Sequence, residues 1–162
     1  MMLTNEKREE LIGKIEALPT QIEELISGLT EEQLLTHFIP HEWTVAQNVH
    51  HLVDSHMNSV IRLKLILTED QPPLKGYDQD AWADLADGNT LAIEDSLMIL
   101  RGLHRRWVKV FRSLDEAQWQ RTGLHSEIGL VTVEDLVQTY AQHGEDHIDQ
   151  ITRTLAAQHG EA

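Results

Sequence analysis

Leu11, Ile15, Leu18, Ile22, Leu25 and Leu29 recur at alternating steps of four and three. That spacing puts all six on one face of an α-helix. The same signature returns three times. Val45, Val49, Leu52, His56, Val60, Leu63 and Leu67 form a second stripe, and Leu97, Leu100, His104, Trp107, Phe111 and Leu114 a third. Val133, Leu136, Tyr140, His143, His147 and Ile151 form the fourth. One-sided apolar helices hide their stripes by packing against one another. The expected fold is therefore all-α, a four-helix bundle occupying residues 1–162 as a single domain.

The breaks between stripes carry their own signals. Thr30 with Gln33, Thr44 with Gln47 and Thr132 with Asp135 have the spacing of helix N-terminal capping pairs. The long helices are expected from about Thr4 to Gly28, Thr44 to Leu67, Thr90 to Ser113 and Thr132 to Ala157. Pro19 inside the first predicts a kink or short break. The polar connection from Thr68 to Asn89 holds Pro72, Pro73 and Gly76, with a helical turn expected near Asp80 to Ala86 to pack Trp82. A small hairpin is expected between Gly123 and Gly129. Connections this long permit a crossover topology, so simple up-and-down order is not implied.

Composition narrows the function. Thirteen Lys and Arg stand against 27 Asp and Glu, a net charge of −14. That is the wrong sign for a nucleic-acid binder. No apolar run reaches the length of a membrane span. The N-terminus turns charged by Glu6 and has no secretory pattern, which points to the cytoplasm. With no cysteine, the chain has no thiolate ligand, disulfide or thiol nucleophile of its own.

Ten histidines are the unusual count. His143 and His147 replace apolar residues on the fourth stripe, one turn apart, where two imidazoles can clamp one metal ion. A third imidazole from a facing helix would complete a site of the kind bundles build. His50, His51 and His56 are the candidates, and spacing alone leaves the choice open. His104 reads as a satisfied core histidine, and His37, His41, His125 and His159 as surface residues. Glu145 and Asp146 fall off the stripe and read as solvated charge. Arg62 and Lys64 read as exposed helix charge, with binding of an acidic cofactor as the alternative.

The run from Trp43 to Asn58 (Trp-Thr-Val-Ala-Gln-Asn-Val-His-His-Leu-Val-Asp-Ser-His-Met-Asn) resembles the YfiT-like branch of the DinB superfamily. So do Arg62-Leu63-Lys64, Leu67-Thr68-Glu69, Tyr77-Asp78 with Ala81-Trp82, and Leu103-His104 with Arg106-Trp107. The resemblance covers nearly the whole chain. It implies a bundle with a divalent-metal site whose first ligand is the histidine of a His-Leu pair eight residues after the tryptophan, here His51. It implies His143 and His147 as the other two ligands. Gly144, Glu145 and Asp146 fill their interval, where close relatives tend to carry further histidines.

Three neutral imidazoles leave a divalent ion its full charge and an open position, as in catalytic rather than structural sites. Nitrogen donors suit zinc or nickel. The resemblance implies two activities: transfer of a low-molecular-weight thiol of the bacillithiol type to a small electrophile, or hydrolysis by hydroxide formed on the metal. The leading expectation is thiol transfer. A metal-dependent small-molecule binding protein is the non-enzymatic alternative. Asp54, three residues after His51, is the candidate for orienting a ligand or accepting a proton. The resemblance also implies a homodimer.

Overall fold

The computed structural model describes residues 2–158. Four long helices form the bundle: α1 (Asn5–Ile26), α3 (Val45–Thr68), α5 (Ile93–Phe111) and α7 (Val133–Ala157). Short helices α2 (Glu31–Leu35), α4 (Gln79–Ala83) and α6 (Glu116–Trp119) lie in the connections. Strands β1 (Pro73–Leu74), β2 (Thr122–His125) and β3 (Gly129–Thr132) make a small sheet. Each expected capping pair forms with both reciprocal hydrogen bonds, and Asp115 with Gln118 adds a fourth.

The order of core residues along each helix gives the topology. One apolar cluster takes Leu11, Ile12 and Ile15 of α1, Val60 to Ile66 of α3, Trp107 to Phe111 of α5 and Val133 to Ala141 of α7. The other takes Leu18 to Ile26, Val45 to Val53, Ile93 to Leu100 and Ile151. α1 and α7 thus run from the first cluster to the second, and α3 and α5 run the opposite way. The bundle is up-down-down-up, with α3 beside both α5 and α7, and α1 beside both α7 and α5. A crossover is required because α3 and α5 are parallel neighbours. The chain must return the length of α3, about 36 Å at 1.5 Å per residue, before α5 begins. Residues 69–92 make that return.

The expected hairpin is β2–β3, antiparallel with Gly123 opposite Val131. The parallel strand β1, beside β2, was not legible in the sequence. It links the two long connections, and Leu74 and Val131 anchor the sheet in the first apolar cluster. The turn expected near Asp80 is α4. Its Trp82 packs at the surface. It is 37% exposed and lies against the Tyr77 ring at 4.4 Å. Of the kink or short break expected at Pro19, the break is absent, because α1 continues through it. Among the described residues, no helix is long and apolar enough to cross a membrane.

α1 is tied to α7 by a buried charge. Arg8, 4% exposed, donates to Glu134 from Nε at 3.0 Å and from Nη2 at 2.6 Å. It also donates to Glu116 at 2.6 and 2.9 Å and lies over the Trp119 ring. Removing one partner of a buried pair leaves an uncompensated charge. Glu134→Ala should therefore lower stability by about 3 kcal/mol, read as a lower denaturant midpoint at unchanged slope. A loss below about 1 kcal/mol, the range of surface pairs, would show that Glu116 alone satisfies Arg8.

Candidate metal centre

The two apolar clusters do not meet directly. Between them the helices contribute histidines: His51 and His56 from α3, His104 from α5, and His143 and His147 from α7. His51, His56, His104 and His147 are buried, and His143 is half-buried.

Three of these rings converge. The Nε2 of His143 lies 3.3 Å from Nε2 of His51 and 3.1 Å from Nε2 of His147. The ligand atoms of all three lie within 4.8 Å of one another. A tetrahedral ion with Zn–N bonds of about 2.0–2.1 Å separates its donors by about 3.3 Å. The two spacings from His143 match that figure.

The start of α3 fixes the ring of His147. Thr44 caps the helix, and its carbonyl accepts from Asn48 Nδ2 at 2.9 Å. A carbonyl can only accept, so Asn48 turns Oδ1 towards His147, 2.7 Å from Nδ1. His147 therefore carries its proton on Nδ1 and leaves Nε2 bare. Trp43, just before the cap, packs its ring 4.5 Å from that of His51 and stacks on His147 at 6.1 Å.

Behind His143 a line of imidazoles runs into the core. His143 Nδ1 is 3.2 Å from His56 Nε2, and His56 Nδ1 is 2.8 Å from His104 Nε2. His104 Nδ1 is 2.5 Å from the carbonyl oxygen of Ile15. Tyr140 closes the side, its ring 5.3 Å from His56 and 5.7 Å from His143.

Burial keeps these rings neutral. It pushes His51 down to about 3, with His143 adding to the shift. It takes His147 to about 2, helped by His143 and His51. His143 falls to about 4, burial being partly offset by Asp146. His104 also falls to about 4, burial outweighing its bond to the Ile15 carbonyl. His56 lies well below the usual range, from burial first and the surrounding imidazoles second. Metal ligation needs this neutral form.

The three α3 candidates separate cleanly. His51 faces the cluster and His56 sits one ring behind it. His50 turns to α5, with Nδ1 2.7 Å from Ser96 Oγ and Nε2 3.1 Å from the Thr90 carbonyl. Asp54 lies on the His50 side, in a groove of about 250 Å³ shared with Asp87 and Ser96. Its carboxyl is raised by burial and by Asp87. It makes no hydrogen bond to the three converging histidines. Glu145 and Asp146 are exposed, as are His37 and His41, while His125 is half-buried in β2. His159 lies outside the described residues. Arg62 is half-buried and donates to the Tyr140 hydroxyl at 3.2 Å and to the Lys75 carbonyl at 2.6 Å.

Sequence reasoning missed how His56, His104 and Asn48 join the cluster. Its available signal was that His56 and His104 both sit on core stripes, where a lone imidazole needs a polar partner.

An up-down-down-up helical bundle with three imidazole nitrogens turned on one point from two facing helices is the architecture of a bundle with a ligand set for a single cation. The chain belongs to the DinB superfamily, whose family model matches residues 14–151. It is 43% identical over 150 residues to a protein of Oceanobacillus iheyensis, covering 93% of this chain and 87% of that one. It is 38% identical over 151 residues to YfiT of Bacillus subtilis, covering 93% and 85%. Both relatives are named, provisionally, as metal-dependent hydrolases. The solved structure of B. subtilis YfiT superposes with a TM-score of 0.92 at 36% identity, over 99% of this chain and 92% of that one. It is described, again provisionally, as a metal-dependent hydrolase with an unusual four-helix bundle topology. A mycothiol-dependent maleylpyruvate isomerase shares the fold, with a TM-score of 0.71 at 14% identity over 93% of this chain and 63% of that one.

The depressed histidines predict a pH dependence. Between their ordinary value near 6.5 and folded values near 4 and below, the unfolded chain binds protons that the folded rings refuse. Stability is then complete above about pH 6.5 and falls as pH drops towards 4. Chemical denaturation of metal-free protein across that range should show the fall. A flat profile would mean the rings accept protons while folded.

Proposed function

We propose that His51, His143 and His147 hold one divalent cation, and that the protein is a metal-dependent enzyme acting on small molecules. The observation carrying this reading is the convergence of three imidazole Nε2 atoms 3.1 and 3.3 Å apart from facing helices. Imidazole donors favour Zn²⁺ or Ni²⁺ over Mg²⁺ or Ca²⁺. Three neutral donors leave such an ion its +2 charge, which favours the anionic form of a thiol or water taken up beside it.

The substrate reading is S-transfer from a low-molecular-weight thiol of the bacillithiol type to a small electrophile. The chain has no cysteine, so the sulfur must come from outside. The protein's own residues set the stage. Asn48 and Thr44 hold the His147 ring in one tautomer. Trp43 walls the cluster on the side of His51 and His147. Arg62, fixed on the Tyr140 hydroxyl, offers a positive charge to an acidic group on the thiol. Asp54 lines the groove beside His50. A single domain over residues 1–162, a homodimer and a cytoplasmic location belong to the same reading. Hydrolysis is the second reading, favoured by the provisional names of the relatives.

The test uses untagged protein, stripped of metal and reloaded with Zn²⁺ or Ni²⁺. Wild type should hold about one ion per chain, and His51→Ala and His143→Ala almost none. Loaded wild type should couple bacillithiol to a halogenated aromatic, releasing halide, while the stripped protein and both variants should not. Hydrolysis of an ester and amide panel without thiol turnover would select the second reading. Equal rates with and without metal would refute both.

A further inference from the structure

We propose that His56 and His104 are positioning residues for the ligand set: a one-way hydrogen-bond chain, anchored on the Ile15 carbonyl, fixes which nitrogen His143 turns to the cation. The inference rests on the reading that His51, His143 and His147 hold that cation.

The anchor comes from the sequence of α1. In an α-helix the carbonyl of residue 15 accepts from the N–H of residue 19. Residue 19 is proline and has no N–H. The helix continues regardless, so the Ile15 carbonyl faces the core without its usual donor. His104 Nδ1 supplies one at 2.5 Å. A buried carbonyl left unpaired is costly, which explains both a proline mid-helix and a histidine on the stripe of α5.

The direction of the chain follows from this one group. A carbonyl only accepts, so His104 carries its proton on Nδ1. A neutral ring then has a bare Nε2, which must accept from His56 Nδ1 at 2.8 Å. His56 Nε2 is bare in turn and must accept from His143 Nδ1 at 3.2 Å. His143 is left with a bare Nε2, the atom 3.3 and 3.1 Å from the Nε2 atoms of His51 and His147. The opposite tautomer of His143 would place a hydrogen among the converging nitrogens and turn a bare Nδ1 towards the bare Nε2 of His56.

The same geometry excludes a proton conduit. The line ends on a backbone carbonyl, which holds no transferable proton. Its last members, His104 and Ile15, are each 1% exposed. The chain therefore polarises and orients. His147 receives the same service from Asn48 and Thr44, so two of the three ligands have their tautomers set by backbone carbonyls.

Two measurements test this. Long-range ¹H–¹⁵N spectra of metal-free wild type should show His104, His56, His143 and His147 protonated at Nδ1. A proton on Nε2 of His143 would overturn the proposal without any variant. Zn²⁺ affinity by chelator competition is then compared in His104→Leu, which ends the chain, and His104→Gln, whose amide can donate to Ile15 and accept from His56. His104→Leu should weaken Zn²⁺ about 10- to 100-fold, with His143 shifting towards the Nε2–H form, and His104→Gln should recover most of the loss. Unchanged affinity and tautomer in a folded His104→Leu would refute it. A wild type with the expected tautomers that binds no Zn²⁺ would instead refute the metal reading and leave the hydrogen-bond chain standing.

Discussion

Five imidazoles are withdrawn from water in the middle of this bundle, and each needs a polar partner to remain there. His104 finds the Ile15 carbonyl, His56 finds His104, and His143 finds His56. His147 finds Asn48. His51 turns Nε2 to His143 and packs its ring against Trp43. Each of these four hydrogen-bond partners, Ile15, His104, His56 and Asn48, lies on a different helix from the histidine it satisfies. The polar layer therefore sets the relative height of α1, α3, α5 and α7, because a shift of one helix by a turn would break at least one bond. Apolar contacts on either side tolerate sliding far better than a ladder of donors and acceptors does.

That layer also explains the split core. One apolar cluster lies at the end where the sheet, Trp119 and the Arg8–Glu134 pair close the bundle. The other surrounds the start of α3 and the end of α7. The capping of α3 by Thr44 joins structure to chemistry. The residue that satisfies the first turn of the helix also lends its carbonyl to Asn48, and Asn48 orients His147. The up-down-down-up order brings α3 and α7 together as antiparallel neighbours, and these two helices carry the converging rings.

Much of this was legible because it is periodic. The four stripes, the capping pairs and the positions of His143 and His147 on a buried line follow from spacing of three and four. The hairpin was legible from its glycines. The choice of His51 over His50 and His56 was not, since all three sit within two turns and stripe geometry has no resolution for ring direction. It came from resemblance, and the structure turns that ring towards His143 and His147. Strand β1 was hidden because two residues leave no periodicity. The turn that packs Trp82 was legible, but its partner, the Tyr77 ring at the surface, was not. Pro19 was read only as an interruption. Its effect is to free a carbonyl, and that shows only once His104 is seen opposite.

The proposed chemistry requires that three imidazoles from two helices share a single ion and leave part of its coordination open. X-ray absorption at the zinc edge of reconstituted wild-type protein measures this directly. Three nitrogen scatterers are expected at about 2.0–2.1 Å with the outer-shell pattern of imidazole, plus one or two oxygen neighbours from water. A shell of oxygen donors without imidazole scattering, or a closed set of four protein ligands, would contradict it.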